Sequence, residues 1–179
     1  MHPDVKKVLF TEEDIVNRCK QLGAQLTEHY RDNQHDLLVV GVLKGSIPFF
    51  AELIKHIDLD ITVDFIAASS YAGTESLGDI KIIKDLDSSV IDRDIILVED
   101  IIDTGLTIKE IKELLYHKGA HDVKVAALLN KQSRRITDIS ADFLGFEIPN
   151  EFVIGFGLDF NQKYRCLPYV AVLKEECYK

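Results

Sequence analysis

Apolar positions along the chain follow two alternating spacings. From Thr11 to Asp32, the residues Ile15, Cys19, Leu22, Leu26 and Tyr30 recur at helical steps and predict one amphipathic helix. Thr11 is its expected N-cap, with Glu12, Glu13 and Asp14 filling the positive first turn. Leu37 to Val42 is instead an unbroken apolar run, the pattern of a strand buried on both faces. Gly45 and Ser46 then open a second helix, with Pro48 in its first turn and Phe49, Phe50, Leu53, Ile54 and Ile57 on its apolar face. β-Branched residues make Ile61 to Ala68 a strand. The stretch from Ser69 to Asp79 is small, polar and glycine-bearing, and is expected to be a mobile loop before a returning strand over Ile80 to Ile83.

The second half repeats the alternation. Asp94 to Glu99 predicts a strand that ends in acid, and Thr107 to Lys118 a helix closed by Gly119. Val123 to Leu129 predicts a further strand, and Phe143 to Ile148, Val153 to Leu158 and Tyr169 to Leu173 are three more short apolar runs. Strands alternating with helices imply the α/β class with a mainly parallel sheet. No repeat, low-complexity tract or linker divides the chain, so a single domain over residues 1–179 is expected. Ligands of such sheets sit at the carboxyl ends of the strands. That rule gathers Lys44, Glu99, Asp100 and Lys131 along one edge.

Composition narrows the class. With 46% hydrophobic and 28% charged residues the chain has the material for a full core and is not of disordered type. No apolar stretch approaches the roughly 18 residues of a membrane span, and the first residues, Met1 to Lys7, lack the apolar run of a secretory signal. The three cysteines, Cys19, Cys166 and Cys177, are odd in number, widely spaced and without a CxxC pair, which argues against a disulfide scaffold or a zinc site. The expected compartment is the cytoplasm. The six histidines show no metal-ligand spacing. A net charge of −9 disfavours a general nucleic-acid binder, yet a phosphate site needs only local donors and a helix N-terminus.

One segment carries chemistry. Leu97 to Ile108 reads as a buried strand delivering the adjacent carboxylates Glu99 and Asp100, a short turn, and Thr104-Gly105-Leu106-Thr107 opening a helix. Backbone N–H groups at a helix start point outward, and the helix dipole favours an anion there. Gly105 admits close approach of the backbone, and the hydroxyls of Thr104 and Thr107 add donors. Glu99 and Asp100 would repel a bare phosphate. They make sense as acceptors for sugar hydroxyls or as ligands of Mg²⁺, and a ribose 5-phosphate meets both demands. Asp103 lies within the turn and is free to accept a proton. The competing reading makes Asp100 and Asp103 helix caps in a solvated turn.

The segment resembles the phosphoribosyl-pyrophosphate (PRPP) signature of type I phosphoribosyltransferases, and Glu99-Asp100-Ile101-Ile102-Asp103-Thr104-Gly105 is similar to the hypoxanthine-guanine branch. The likeness runs from about Val39 onward through Gly41 to Ser46, Ser70-Tyr71, Gly78 to Lys81, Lys131, and Gly145 to Pro149, as far as Arg165. It implies an α/β fold of the type I phosphoribosyltransferase kind, a mainly parallel twisted sheet flanked by helices. A small hood subdomain would be built from the N-terminal segment and residues 145–179.

The resemblance also assigns roles. Glu99 and Asp100 would hold the ribose hydroxyls and Mg²⁺, and Asp103 would be the general base near purine N7. The backbone from Asp103 through Thr104, Gly105, Leu106 and Thr107 would bind the 5-phosphate. Lys44, Gly45 and Arg165 would bind pyrophosphate, with a non-proline cis peptide joining Leu43 and Lys44. Some relatives carry a second glycine where this chain has Ser46. Asp159 would be a further Mg²⁺ ligand. Lys131 would donate to the oxygen on purine C6, Phe152 would stack on the purine and Val153 would contact its edge through its backbone. Ser70 and Tyr71 would head a loop that closes over the site. The implied substrates are PRPP and a 6-oxopurine, the implied cofactor Mg²⁺, and the implied assembly a homodimer or tetramer, with no nucleic-acid or membrane partner. The rival readings are a phosphoribosyltransferase for another base, such as xanthine or a pyrimidine, and a PRPP-sensing regulator that binds RNA. A P-loop kinase is disfavoured because GxxxxGK[ST] is absent.

Overall fold

A computed structural model describes residues 1–70 and 80–178, with only the backbone of Ser70 and Ile80. The chain forms nine strands and three α-helices among these residues: β1 (Val5–Phe10), α1 (Glu12–Tyr30), β2 (Leu37–Leu43), α2 (Ile47–Leu53), β3 (Ile61–Ser70), β4 (Ile80–Lys84), β5 (Asp94–Ile102), α3 (Leu106–His117), β6 (Asp122–Asn130), β7 (Phe143–Glu147), β8 (Val153–Ile154) and β9 (Val170–Leu173). Six strands make the main sheet in the order β4-β3-β2-β5-β6-β7. β3, β2, β5, β6 and β7 run parallel, and only the edge strand β4 is antiparallel. β1, β9 and β8 form a separate antiparallel sheet.

Period-two burial explains the layers. In β2, Leu37 and Val39 face one core with Ile15, Leu22 and Leu26 of α1 and Phe49 and Leu53 of α2. Leu38, Val40 and Val42 face the other, with Ile108, Ile111 and Leu115 of α3. Ile96 and Val98 of β5 alternate with Ile95 and Leu97 in the same way. The middle strands are therefore apolar on both faces, which is what their unbroken runs required. α1 begins with a capping box: Thr11 Oγ1 accepts from the Asp14 amide at 3.2 Å, and the Thr11 amide donates to Asp14 Oδ2 at 2.9 Å.

The elements differ from the sequence expectation at several places: β3 runs on through Ser69 and Ser70, which were expected to open the loop, and α2 spans only Ile47–Leu53, with Ile54 in a short 3-10 turn after it. β5 continues through Asp100 and Ile101 to Ile102, so both acids lie inside the strand rather than at its end. α3 starts at Leu106, one residue early, because Gly105 is its N-cap in the left-handed region at φ +86°. Val153 to Leu158 is a strand only over Val153–Ile154, since Gly155, Phe156 and Gly157 all take positive φ and turn the chain away. β1 carried no strand signal, because its lysines interrupt any alternation; its pairing with β9 supplies the order. The small sheet has its own apolar cluster, Val5, Ile154, Ala171 and Leu173.

Topology positions the site. β2 leads outward to β3 and β4 on one side, and the chain then returns to build β5, β6 and β7 on the other. The reversal falls between β2 and β5, and a crevice opens beyond the carboxyl ends of strands at such a point.

Candidate active site

The carboxyl ends of β2, β5 and β6 carry the expected residues to one place. Lys44 follows β2 directly and is exposed, and the Leu43–Lys44 peptide is cis, as the resemblance implied. Gly45 lies against β5: a Cβ there would overlap the carboxylate of Asp100, so only glycine lets the β2 loop reach that acid. Ser46 is fully buried, and its hydroxyl donates to the Val42 carbonyl at 2.6 Å. Its side chain is turned inward and leaves the loop surface to Lys44 and Gly45.

The turn from Asp103 to Thr107 is not a capped helix start. Gly105, the N-cap residue of α3, offers no side chain, and no acid occupies the first turn. Thr104 Oγ1 accepts only a long 3.4 Å bond from the Leu106 amide. The first N–H groups of a helix have no intrahelical acceptor, so the start of α3 faces the crevice with donors and positive dipole available to an anion. This removes the competing reading of Asp100 and Asp103 as caps. Asp100 Oδ1 accepts from the neighbouring Ile101 amide at 2.7 Å, and Asp103 Oδ2 pairs with Arg134 Nη1 at 3.1 Å.

A second layer, which sequence reasoning missed, holds this turn from behind. Arg135 donates from Nε to the Asp103 carbonyl at 3.2 Å and from Nη2 to the Ile102 carbonyl at 3.2 Å, and it also bonds Asn130 Oδ1 and the Ile139 carbonyl. Thr137 Oγ1 and the Ile136 amide both donate to the Thr104 carbonyl, at 3.2 and 3.1 Å. The turn's carbonyls are thus drawn backward, which leaves its N–H groups directed forward. The only sequence signal for this brace was the basic pair Arg134-Arg135 following Lys131.

Electrostatics single out the two acids. Glu99 Oε2 is buried without a hydrogen-bond partner among the described residues. Burial first, and the neighbouring Asp100 charge second, push the Glu99 carboxyl well above its ordinary range. Burial likewise pushes Asp100 from 3.8 to about 6, against the pull of the Ile101 amide and the Arg165 charge. Two adjacent half-buried carboxylates, one with a buried oxygen that no described residue satisfies, suit a cation or a polar ligand. The donor set fits Mg²⁺: hard oxygens, one orphaned, in a pair that leaves the rest of the shell to substrate and water. Among the described residues no group of three or more His, Cys, Asp or Glu side chains forms a ready-made metal cage.

The signs of these shifts make a prediction. A carboxyl whose pKa is raised on folding favours the folded state at low pH, and that contribution is lost as pH rises through the folded value. For Asp100 the loss falls between 3.8 and about 6. Asp100→Asn is expected to raise the stability of the ligand-free protein at pH 7.5 by about 1–3 kcal/mol, and to flatten the pH dependence of melting. Thermal unfolding from pH 4 to 8 checks this. A variant less stable than the native chain at pH 7.5 contradicts it.

The remaining residues converge from the second half of the chain. Lys131 is buried at the end of β6, its amide donating to the Ile102 carbonyl at 3.0 Å and its Nζ to the Glu151 carbonyl at 2.9 Å. Burial lowers its ammonium pKa, opposed by the Asp103 charge, which places Lys131 and Asp103 within electrostatic reach. The Glu151 carbonyl thereby ties Lys131 to the turn that carries Phe152 and Val153. Phe152 is 36% exposed, and Val153 is buried in β8. Arg165 and Asp159 lie across one loop, with Nη2 to Oδ1 at 2.7 Å, and Arg165 Nη1 donates to the Gly157 carbonyl at 2.7 Å. Asp159 Oδ2 accepts from the Gln162 amide at 2.8 Å, so both its oxygens are engaged within the loop. Arg165 and Asp159 both act on the charge of Asp100, the first lowering and the second raising its pKa, so this loop faces the β5 acids. Ser70 ends β3, its backbone paired with Ile80. Tyr71 lies outside the described residues.

A parallel sheet whose switch-point strand β5 carries paired acids and leads into an uncapped glycine turn suits a sugar phosphate, as the resemblance to phosphoribosyltransferases implied. The chain belongs to the phosphoribosyl transferase domain family, whose model matches residues 8–161. It is 53% identical over 176 residues to the hypoxanthine-guanine phosphoribosyltransferase of Streptococcus agalactiae, covering 98% of this chain and 97% of that one. It is 50% identical over 179 residues to the enzyme of the same name from Streptococcus mutans, covering 99% and 98%. Among solved structures, a hypoxanthine phosphoribosyltransferase from Staphylococcus aureus superposes with a TM-score of 0.94 at 50% identity, covering 100% of this chain and 97% of that one.

Proposed function

We propose that the protein transfers ribose 5-phosphate from PRPP to N9 of hypoxanthine or guanine, giving IMP or GMP and pyrophosphate, a purine-salvage reaction. The observation that carries this is the Glu99–Thr107 segment: two half-buried acids, one with an orphaned buried oxygen, one turn away from an uncapped helix start. The helix start and the hydroxyls of Thr104 and Thr107 take the 5-phosphate, and Glu99 and Asp100 take the ribose diol. Glu99 and Asp100, with Asp159 on the pyrophosphate side, would hold Mg²⁺, which would supply charge neutralisation for the departing pyrophosphate. Lys44, the backbone of Gly45, and Arg165 bind that group. Lys131 donates to O6, Phe152 stacks on the ring, and Val153 meets its edge through the backbone.

The proton inventory is short. As N9 bonds to C1′ and pyrophosphate leaves with its electron pair, the proton on N7 passes to Asp103. Asp103 Oδ1 is buried and has no partner among the described residues, so a lone pair is available. The loop headed by Ser70 and Tyr71 would close to exclude water from an oxocarbenium-like transition state. We place the reaction in the cytoplasm. No described helix is long and apolar enough to cross a membrane. The β1-β9-β8 sheet with the loops around it serves as a hood of the single domain over the base, and the active unit is a homodimer or tetramer.

The test is one assay of Mg²⁺-PRPP with hypoxanthine, guanine, xanthine, adenine and a pyrimidine, read as nucleotide formed. Turnover with hypoxanthine and guanine and little with the others is the expected result. Preference for xanthine would move the specificity within the class. No turnover together with RNA binding at physiological salt would replace the enzyme with a PRPP-sensing regulator.

A further inference from the structure

Phe152 does not stand alone. Its ring stacks on that of Tyr178, with centroids 5.1 Å apart and an interplanar angle of 27°. The ring of Phe160 meets Phe152 edge-on, with centroids 5.5 Å apart at 87°, and Phe160 also contacts Tyr178 at 6.5 Å and 67°. Both partners are partly buried and pack against the apolar cluster of the small sheet, Val5, Ile154, Ala171 and Leu173. Tyr178 is delivered there by the short 3-10 turn Glu175–Cys177 after β9, closed by its own amide donating to the Glu175 carbonyl at 3.1 Å. Phe152 is nonetheless 36% exposed. Tyr178 covers one face of the ring, and the three centroid distances put Phe160 to the side of that stack, so neither ring covers the opposite face. Its backbone is held as well, because the Leu173 amide donates to the Phe152 carbonyl at 2.9 Å.

We propose that Tyr178 is a positioning residue for base binding: its ring backs Phe152 and holds the free face of Phe152 at the angle required to stack on the purine. An exposed phenylalanine at the head of a two-residue strand would otherwise sample more than one side-chain rotamer, and a base would have to order it on binding. Offset stacking fixes that orientation in advance. The support needs the ring of Tyr178 and not its hydroxyl. Phe160 follows Asp159 in sequence, so the same three-ring cluster ties the base-stacking ring to the loop bearing Asp159 and Arg165.

This inference rests on the reading of Phe152 as the purine-stacking ring, and the experiment separates the two. KM and kcat for hypoxanthine and for PRPP are measured in Tyr178→Ala, Tyr178→Phe, Phe152→Ala and the double variant Phe152→Ala/Tyr178→Ala. Tyr178→Ala is expected to raise the KM for hypoxanthine about three- to tenfold while the KM for PRPP stays within about twofold. Tyr178→Phe should behave as the native enzyme. In the Phe152→Ala background the second substitution should add nothing, because the ring through which Tyr178 acts is gone. An unchanged hypoxanthine KM in Tyr178→Ala, a defective Tyr178→Phe, equal losses for both substrates, or additive losses in the double variant would each overturn the proposal. If Phe152→Ala itself leaves the hypoxanthine KM unchanged, the assignment of the purine site fails instead. Should Tyr178→Ala not fold, Tyr178→Leu, which keeps bulk and lacks a π face, takes its place under the same criteria.

Discussion

Asp103→Asn is expected to slow turnover by about 10²–10⁴-fold with PRPP affinity near the native value. The two oxygens of Asp103 are in different situations. Oδ2 pairs with Arg134 Nη1 at 3.1 Å, which orients the carboxylate. Oδ1 is buried and without a partner among the described residues, so it can accept a proton from a base placed over the turn. An asparagine keeps the side-chain shape and retains an acceptor toward Arg134, but it cannot take up the N7 proton. The proposed 5-phosphate cradle would depend on the backbone of the same turn, which Arg135 and Thr137 hold through carbonyl oxygens rather than through the Asp103 side chain. The substitution should therefore separate chemistry from binding. Steady-state kcat and calorimetric titration with Mg²⁺-PRPP measure the two, and an unchanged kcat removes Asp103 from the role of base.

Lys131→Ala is expected to lower kcat/KM for hypoxanthine and guanine by roughly 10- to 150-fold, the value of one hydrogen bond from a charged donor at about 1.5–3 kcal/mol. The discrimination against adenine should fall with it. Lys131 is 6% exposed, and burial disfavours its charged form. Its ammonium donates to the Glu151 carbonyl at 2.9 Å. A carbonyl oxygen on C6 of a bound base adds an acceptor for this desolvated cation. The amino group of adenine offers none and leaves a donor unpaired, the situation in which a polar site rejects the wrong ligand most strongly. Competition between hypoxanthine and adenine in one assay checks the expectation. A variant with native selectivity would place the discrimination elsewhere.

The two predictions also mark how far the sequence could be read. The unbroken apolar runs of β2 and β5 announced strands covered on both faces, and the capped, acid-led start of α1 announced a helix; both are local signals that tertiary packing reinforces. Glu99, Asp100 and the Thr104 to Thr107 turn were legible because strand, acids, glycine and helix are contiguous. β1 was not, since an edge strand with lysines has no periodic signature and owes its order to pairing with β9, more than 150 residues away. Arg135 and Thr137 were not legible either. They act on the turn from behind at separations of more than 30 residues, and nothing in an Arg-Arg pair distinguishes a brace from surface charge. The stack of Tyr178 on Phe152 crosses the small sheet and leaves no mark in local composition.

The sequence by itself determined the α/β class, the strand that carries paired acids into a glycine turn, and which groups are candidates for phosphate, diol and base. These are properties of contiguous residues, where hydrophobic period, capping and turn chemistry act within a few positions. Only the tertiary structure decided that Glu99 keeps an orphaned oxygen, that Asp103 is held by Arg134 on one side and free on the other, and that Lys131 is buried against the Phe152 turn. Burial, pairing and pKa depend on which distant segments meet, and that is settled by the closing of the sheet and not by any single stretch of chain.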